Sequence, residues 1–409
     1  MALALISICL LGFIPYLVLV WRAPEMRWPQ VRSTILVFAL LFRIGLLCLP
    51  APLTTDTARY LWDGKIQVYG FNPYAHTPNA PELTHLRDAN WEKLDHRDVA
   101  SVYPPILLLL FRLVATVAPH QWTFRLLFTV FDLLTFRLIV RLLRSRKQSP
   151  AFALIWGLNP LVMLEFAGSG HEMSLAIMFF IAGFWLLQTR LTPVAALAFA
   201  LATLAHLIAL PLAITVLATA RIRSVRIWLW YFLPLAAGYA LFIDAGHALW
   251  TSLLNVAGLW QFNGSLYEVL AGILDRNNWQ ERAGVWIVHE HTKIVCAILL
   301  AGLFVWLVRR RVNPVRAALT MAGSILLLSS TVHPWYVTWL VALVCVEFSL
   351  AWLVFSATVL VSYVARITQL QTGIWVDAAF TRWLEYTPVF LLLAVELWRK
   401  RFDTTATGQ

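Results

Sequence analysis

Apolar runs recur along this chain and constrain its fold more than any other feature. Each run holds roughly 16 to 22 mostly apolar residues, about the length at which a helix crosses the hydrocarbon core of a bilayer. The sequence is 60% hydrophobic and only 13% charged, whereas a water-soluble domain needs a far more polar surface. We therefore predict an all-α polytopic membrane protein in which residues 1–409 form a single bundle.

The runs define the predicted spans, which are about 2–20, 34–52, 123–143, 150–167, 172–189, 193–205, 206–220, 228–245, 291–308, 315–331, 334–348, 350–366 and 387–398. The run 104–119 has only about 14 apolar residues between prolines, a length typical of re-entrant or interfacial helices. Treating that run as partial gives about 13 crossings, with the amino terminus outside and the carboxyl terminus inside. The first run precedes its positive charges, so we interpret it as a retained helix.

The net charge of +11 lies in short basic clusters between the apolar runs. The clusters are Arg22, Arg27 and Arg32; Arg141, Arg144, Arg146 and Lys147; Arg221, Arg223 and Arg226; Arg309, Arg310, Arg311 and Arg316; and Arg399, Lys400 and Arg401. Under the positive-inside rule such clusters lie in cytoplasmic loops. The excess charge therefore reflects membrane topology and predicts no nucleic-acid partner.

This topology places three long polar segments on the outer side of the membrane. We name them the first polar loop (53–102), the second polar loop (246–290) and the third polar loop (367–386). Two short turns, "AGSGHE" (167–172) and "TVHPW" (331–335), fall on the same side. The polar residues best suited to chemistry thus collect at one membrane face. No Walker motif or HExxH sequence appears, so the parts of an ATP-driven pump are missing.

Asp56 follows the second span and is expected near the outer membrane surface. Partial desolvation by Tyr60 and Trp62 would raise its pKa and suit it to general-base chemistry. The alternatives are a solvated loop aspartate or a helix N-cap.

Asp63 shares the ambiguity of Asp56 and could instead pair with Arg59 or Lys65 on one helical face. The next stretch, "GFNPYAHTP", reads as a turn. Its aromatics, such as Tyr74, either pack at the membrane interface or form a platform for a sugar ring.

Four histidine and glutamate side chains near helix ends are further candidates. His171 and Glu172 end the "AGSGHE" turn, where ionisable groups are either solvated at the interface or functional. His333 precedes Trp335 and Tyr336, which an aromatic belt would explain without explaining the histidine. His206 lies where two short helices meet and could be a buried histidine satisfied by a backbone carbonyl.

Two further charged residues lie in or beside spans. Asp132 is expected to form an intramembrane ion pair with Arg125 or Arg137. Arg366, at the outer end of its helix, either contacts an anionic phosphate or snorkels to the interface.

Several short motifs resemble those of one enzyme superfamily. They are D-x-x-R-Y-x-W-D-G from Asp56, G-x-N-P-Y from Gly70, Y-P-P from Tyr103 and H-P-W-Y from His333. In this order they resemble the GT-C superfamily of membrane glycosyltransferases, and especially the bacterial branch that includes polyprenyl-phosphomannose-dependent mannosyltransferases. The resemblance implies a GT-C-like bundle in the bacterial cytoplasmic membrane, with short juxtamembrane helices in the first polar loop.

The resemblance also implies the reaction. A hexose, with mannose favoured, moves with inversion from a polyprenyl-phosphate-linked donor to a hydroxyl of a glycolipid or glycan acceptor at the outer face. Asp56 matches the catalytic base. Together with the polar residues above, the resemblance gives a candidate substrate-binding set of Arg59, Tyr60, Asp63, Lys65, Asn72, Tyr74, Tyr103, His171, Glu172, His206, His333, Tyr336 and Arg366.

This sequence departs from the superfamily pattern at two places. Glu172 stands where relatives often carry asparagine or aspartate after the histidine, and His206 stands where they often carry the lysine that contacts the lipid phosphate. Arg59, Lys65 and Arg366 are the possible replacements for that lysine.

No metal or other cofactor is required by a single base and a good leaving group, although a divalent ion at Asp56 and Glu172 stays open. The alternative functions are a transporter or flippase for a lipid-linked sugar and a scaffold subunit of an envelope-synthesis complex.

Overall fold

The computed structural model describes residues 1–275, 281–282, 286–287 and 289–406. The helices of the first half are α1 (Ala2–Arg22), α2 (Trp28–Cys48), α3 (Asp56–Val68), α4 (Pro105–Val117), α5 (Gln121–Ser145), α6 (Leu154–Gly157), α7 (Pro160–Met163), α8 (Met173–Gln188), α9 (Thr192–Ala205) and α10 (Ala209–Thr219). Those of the second half are α11 (Val225–Ala240), α12 (Ala248–Leu259), α13 (Leu266–Leu274), α14 (Glu290–Arg309), α15 (Pro314–Leu327), α16 (Thr338–Val344), α17 (Leu350–Thr358), α18 (Val364–Thr372) and α19 (Ala379–Ala406).

Short helical turns and one small hairpin complete the described structure. The 3-10 helices are Ala23–Glu25, Pro81–Leu86, Trp91–Lys93, Pro150–Ala153, Ile243–Ala245, Pro334–Val337 and Val359–Tyr363, and a π-helix spans Leu164–Ser169. Strands β1 (Glu281–Arg282) and β2 (Trp286–Ile287) pair antiparallel. The prediction of an essentially helical protein is therefore confirmed.

In the part of the chain that the structure describes, four apolar helical stretches are long enough to cross a membrane. They are Ala2–Glu25, Trp28–Cys48, Glu290–Arg309 and Leu350–Thr372. A fifth is the pair Pro150–Gly157 and Pro160–Ser169, which is bent by 53°. The other apolar helices are shorter, so the predicted count of about 13 crossings stays a prediction.

Helix α2 begins before the second predicted span. It starts at Trp28 rather than near residue 34, because Pro29 lies at the first helical turn, where proline is tolerated and fixes φ. Parts of the third polar loop are helical, since α18 extends to Thr372 and α19 begins at Ala379, which leaves residues 373–378 irregular. The position of this loop outside the membrane stays a prediction. By contrast, α4 has 13 residues, which fits the partial helix expected there.

Helix α3 fixes the first polar loop against the bundle. It packs on α4, and Gly64 makes the close approach possible, because a Cβ there would lie 2.2 Å from the carbonyl oxygen of Phe111. Tyr60 lies in the same interface, with its ring stacked 4.6 Å from that of Phe111. The small residue and the aromatic of the R-Y-x-W-D-G motif therefore serve packing.

The second polar loop is bonded to the turn that carries His333. Phe262 forms a parallel bridge with Thr331, in which its N–H donates to Ser330 at 3.0 Å and its carbonyl accepts from Val332 at 2.9 Å. Backbone hydrogen bonds thus join two segments that lie about seventy residues apart.

Asp132 forms the expected buried ion pair, but with a different arginine. Its Oδ1 lies 3.0 Å from Nη2 of Arg43 on α2, and both side chains are almost fully buried. Arg125 instead donates to the carbonyls of Leu46, Leu49 and Ala167. Pairing within α5 was wrong because Arg125 reaches the unsatisfied carbonyls at the end of α2.

Removing one partner of this pair is expected to destabilise the fold. Asp132→Leu leaves the Arg43 charge buried and unpaired, so the free energy of unfolding should fall by about 3–5 kcal/mol. Reversible unfolding in mixed detergent–SDS micelles measures it, and adding Arg43→Met should restore most of the loss. Glu25→Gln, which breaks an exposed pair with Arg22, is the control and should change stability little. A fully stable Asp132→Leu protein would contradict this role.

Candidate functional site

A cavity of about 500 Å³ opens where the first and second polar loops meet the turn that contains His333. We call it the main cavity. Seven residues of the sequence-derived set line it, namely Asp56, Tyr103, Glu172, His206, His333, Tyr336 and Arg366. They come from six separate parts of the chain, and the volume falls in the range of small-molecule sites. Asp56, Glu172 and His333, which the predicted topology puts at one membrane face, thus line one cavity.

Asp56 is the first residue of α3 and faces the main cavity. Its N–H donates to Oγ1 of Thr54 at 3.1 Å, and its carboxylate near the helix N-terminus is favoured by the helix dipole. About a third of its side chain is exposed, 34%, and Oδ2 lies 3.4 Å from Nε2 of His171. The base candidate is therefore accessible on one side and paired on the other.

His171 lies behind Asp56 and is fully buried. Its Nδ1 is 2.8 Å from Oε2 of Glu165. Oε1 of the same carboxylate accepts a hydrogen bond from the hydroxyl of Tyr363 at 2.9 Å. The imidazole therefore sits between two carboxylates. It does not line the main cavity, so the predicted contact with substrate is replaced by a contact with Asp56.

A broken helix delivers His171 to this position. The break begins at Asn159, whose side chain accepts from the N–H groups of Leu161 and Val162 and starts α7 before Pro160. The π-helix Leu164–Ser169 then turns Glu165 inward, and π-turns of this kind are frequent at functional sites. Gly170 ends it with φ +79°, a conformation that favours glycine.

Burial and charge have opposite effects on the pKa values of Asp56 and His171. Burial lowers the pKa of His171, but the carboxylates of Asp56 and Glu165 outweigh it and raise that pKa to about 10. Burial likewise raises the pKa of Asp56, but the hydrogen bond and charge of His171 outweigh it and leave that pKa below its ordinary value. The raised pKa expected for Asp56 was wrong, because a cation rather than apolar surface is its nearest neighbour.

Glu172 differs from Asp56 in its environment. It is buried and accepts a hydrogen bond from the hydroxyl of Tyr60 at 2.7 Å. Burial raises the pKa of Glu172, so Glu172 and Asp56 differ in their affinity for a proton. Such a split between neighbouring acids is typical of catalytic sites.

Trp335 is held between two imidazole rings. Its ring lies 3.9 Å from that of His171 and 4.3 Å from that of His333. The aromatic-belt interpretation of Trp335 was therefore wrong, because the indole packs inside the protein against both histidines. Burial lowers the pKa of His333 to about 3, so His333 presents a neutral ring to the cavity while His171 behind the indole is charged.

Arg366 supplies a cation to the main cavity. Its Nη1 donates to Oε1 of Gln369 at 2.6 Å and lies 3.7 Å from Oδ2 of Asp95. Among the described residues its Nε has no hydrogen-bond partner. Of the three cations proposed as replacements for a phosphate-binding lysine, Arg366 alone lines this cavity.

His206 is satisfied by the backbone, though not by the group expected. Its Nδ1 accepts from the N–H of Ile208 at 3.2 Å, in place of a bond to a carbonyl. Its ring lies 6.0 Å from that of Tyr336, also in the cavity wall.

Several residues of the sequence-derived set lie away from the main cavity because other groups hold them. Arg59 pairs with Asp63 at 2.8 Å, which confirms one of the two predicted pairings of Asp63. Lys65 instead pairs with Asp88 at 2.8 Å.

The residues of the turn after α3 serve to hold loops together. Asn72 donates to Oδ1 of Asp244 at 2.7 Å. The hydroxyl of Tyr74 donates to the carbonyl of Tyr103 at 2.6 Å. Both bonds fasten the "GFNPYAHTP" turn to its neighbours, so packing rather than a sugar platform accounts for Tyr74.

Five residues that the site uses are absent from the sequence-derived set: Asp95, His96, Glu165, Trp260 and Tyr363. A signal existed for Glu165, because a carboxylate inside an apolar run is costly unless it has a partner. The other four look like ordinary loop or interface residues. Among the described residues, no three His, Cys, Asp or Glu side chains are grouped so as to hold a metal ion.

Replacing Gly170 is expected to disturb the site through His171. In Gly170→Ala the Cβ would lie 2.7 Å from Cγ of Arg125, adding a clash of about 1–3 kcal/mol to the cost of a left-handed backbone. Gly70→Ala is the matched control, because φ is +86° there but nothing lies within 4 Å. Unfolding in detergent should show Gly170→Ala as clearly the less stable variant. Equal stabilities would refute the clash.

Comparison with protein families finds one match. Residues 1–255 are similar to the family described as Alpha-(1->6)-mannopyranosyltransferase, N-terminal domain. No curated protein matches the chain. The matched stretch includes Asp56, His171 and Glu172, whereas His333 and Arg366 lie beyond it.

Proposed function

This chain belongs to the alpha-(1->6)-mannopyranosyltransferase family, and we propose that it moves a mannosyl group from a polyprenyl-phosphate donor to a hydroxyl of a glycan, with inversion at the anomeric carbon. That it is a mannosyltransferase follows from the family. The observation that carries the finer proposal is that Asp56, paired with a buried His171, opens into the same cavity as Arg366.

The proposed step needs one base and one cation. The acceptor hydroxyl gives its proton to the carboxylate of Asp56 as its oxygen bonds to the anomeric carbon. The bond from that carbon to the phosphate oxygen breaks, and the polyprenyl phosphate leaves with the electron pair. Arg366 is placed to compensate the phosphate charge, and alignment of the two oxygens about the carbon supplies much of the acceleration.

His171 is proposed to hold the base in its charged form rather than to bind sugar. The imidazolium keeps Asp56 ionised and fixes one of its oxygens, leaving the other for the acceptor hydroxyl. The lowered pKa makes Asp56 a weaker base than an ordinary carboxylate. However, the leaving group is a phosphate ester, so the hydroxyl proton transfers late, as the new bond forms.

We propose that no cofactor takes part and that the reaction occurs at the outer face of the cytoplasmic membrane. The first point is supported by the phosphate-ester leaving group, since one base and one cation can assist its departure. The second is supported by the basic residues at helix ends, such as Lys147, Arg221 and Arg311, which lie in the segments that the positive-inside rule places in the cytoplasm.

The test is transfer of label in proteoliposomes that contain the purified protein. With radiolabelled polyprenyl-phosphate mannose and a mannoside acceptor, we expect labelled glycan that EDTA does not diminish. Donors that carry glucose, galactose or arabinose are tested in parallel, and the donor whose sugar is transferred identifies the sugar. Use of a nucleotide-linked mannose instead would overturn the proposed donor. Movement of the labelled lipid between leaflets without transfer would establish the carrier that the broken helix also permits.

A further inference from the structure

A second, smaller cavity of about 140 Å³ lies beside the main one, and we call it the side cavity. Asp56, Asp95, His96, Tyr103 and Trp260 line both cavities. The side cavity alone is lined by Arg59, Val99 and Ala100, and the main cavity alone is lined by Glu172, His333 and Arg366. Asp56 thus stands at the junction of two compartments.

The side cavity combines hydrogen-bonding groups with aromatic rings. Its guanidinium, from Arg59, is fixed by Asp63 at 2.8 Å and by the carbonyl of Val99 at 2.9 Å. Asp95 accepts from the hydroxyl of Thr55 at 2.7 Å, and about half of its side chain, 49%, stays exposed.

The aromatic part of the wall joins the two polar loops. The ring of His96, on the first polar loop, lies 4.5 Å from that of Trp260, on the second. A fixed cation, an accessible carboxylate and an indole are the groups that recognise a sugar, whose hydroxyls need donors and acceptors and whose ring has an apolar face.

Size separates the roles of the two cavities. The main cavity has room for a sugar, its phosphate and the first part of a lipid, whereas the side cavity has room for one sugar ring. In an inverting displacement the acceptor oxygen and the leaving oxygen lie on opposite faces of the anomeric carbon. A base that lines both compartments can therefore take a proton from a hydroxyl in one while the donor occupies the other.

We propose that the side cavity is the acceptor subsite and binds the terminal sugar ring of the glycan, with its attacking hydroxyl at Asp56. This rests on the proposed function, since it gives the two substrates of that reaction separate compartments. The hydroxyl proton passes to Asp56, and the oxygen bonds to the anomeric carbon held in the main cavity. Arg59 and Trp260, rather than Arg366, then determine which acceptor is used.

A plug in the side cavity tests this assignment. Val99 lines the side cavity but not the main cavity, so Val99→Phe places an aromatic ring in the side cavity only. We expect the KM for a mannoside acceptor to rise about tenfold or more. The KM for the donor should stay within about twofold, which also shows that the variant is folded. Val99→Thr is the isosteric control, and Ala100→Val is a smaller plug should Val99→Phe fail to fold. A rise in donor KM with an unchanged acceptor KM would overturn the proposal.

A binding measurement keeps this proposal separate from the transfer reaction. Saturation-transfer NMR with methyl α-mannopyranoside, without donor, should detect binding to the full chain in detergent. It should also detect binding to the control variant Asp98→Asn, which changes an exposed residue that lines neither cavity. The signal should be lost in Val99→Phe. If Val99→Phe abolishes binding but the wild type transfers sugar from no donor, the assignment of the side cavity as a sugar subsite holds and the proposed function is refuted. Binding unaffected by Val99→Phe would refute the subsite whatever the transfer assay shows.

Discussion

Asp56→Asn is expected to lower mannosyl transfer by about 10²–10⁴-fold, the range that a positioned general base contributes. The amide keeps the shape of the side chain and can still contact His171, but it cannot accept the proton of the acceptor hydroxyl. The loss should appear in kcat, with donor KM changed by about twofold or less, because the substitution leaves Arg366 and the cavity wall, the proposed donor contacts, unchanged. Initial rates in proteoliposomes at saturating donor and acceptor measure it.

The matched control is Asp98→Asn, which makes the same change in the same loop. Asp98 accepts a hydrogen bond from Asn79 at 2.6 Å on the protein surface and lines neither cavity, so transfer should stay near the wild-type rate. Wild-type transfer by Asp56→Asn would refute the base assignment. Equal losses in both variants would point to the loop rather than to the carboxylate.

His171→Gln is expected to move the acid limb of the pH–activity profile to higher pH, because it removes the opposite charge beside the Asp56 carboxylate. A base works only when deprotonated, so transfer is present above the pKa of Asp56 and lost as the pH falls through it. In the wild type His171 holds that pKa below its ordinary value. Without the imidazolium the pKa rises, and transfer near pH 5 should fall more than transfer near pH 8.

Stability gives a second readout for the same variant. Because the folded pKa of His171 is about 10 against an ordinary 6.5, its stabilisation is complete below about pH 6.5 and is lost as the pH rises through 10. The difference in melting temperature between wild type and His171→Gln should therefore shrink over that interval. His85→Gln, at an exposed histidine of the first polar loop, is the control. An unmoved acid limb with an unchanged melting difference would show that His171 is neutral.

The sequence predicts a short helix in the first polar loop, and it predicts that Asp56, Glu172 and His333 lie at one membrane face. Both predictions rest on local signals, namely motif spacing and basic clusters. The environment of Asp56 could not be predicted. The run 150–167 looks like one continuous span, and its periodicity does not reveal the break at Asn159 or the π-helix that turns Glu165 toward His171. The partner of Asp132 was also beyond reach, since it depends on how α2 crosses α5.

The residues of the D-x-x-R-Y-x-W-D-G motif also differ from one another in the contacts they make. Arg59, Tyr60 and Asp63 all follow Asp56 within two helical turns, so spacing alone puts them near one site. Only packing decides that Tyr60 reaches Glu172 while Arg59 turns to Asp63 and the side cavity. Sequence reasoning therefore finds the segment that carries chemistry more readily than the task of each side chain in it.

The bridge between Phe262 and Thr331 has a consequence for the inheritance of activity. It joins two segments that both lie after residue 255, and the wall they form meets the matched segment where Trp335 stacks on His171. A chimera that joins the first part of one relative to the second part of another would thus combine the proposed base of one enzyme with the proposed phosphate contact of the other. Substitutions before and after residue 255 must stay compatible in shape where these two parts of the chain meet. Selection for a given substrate therefore acts on both parts together rather than on the matched segment alone.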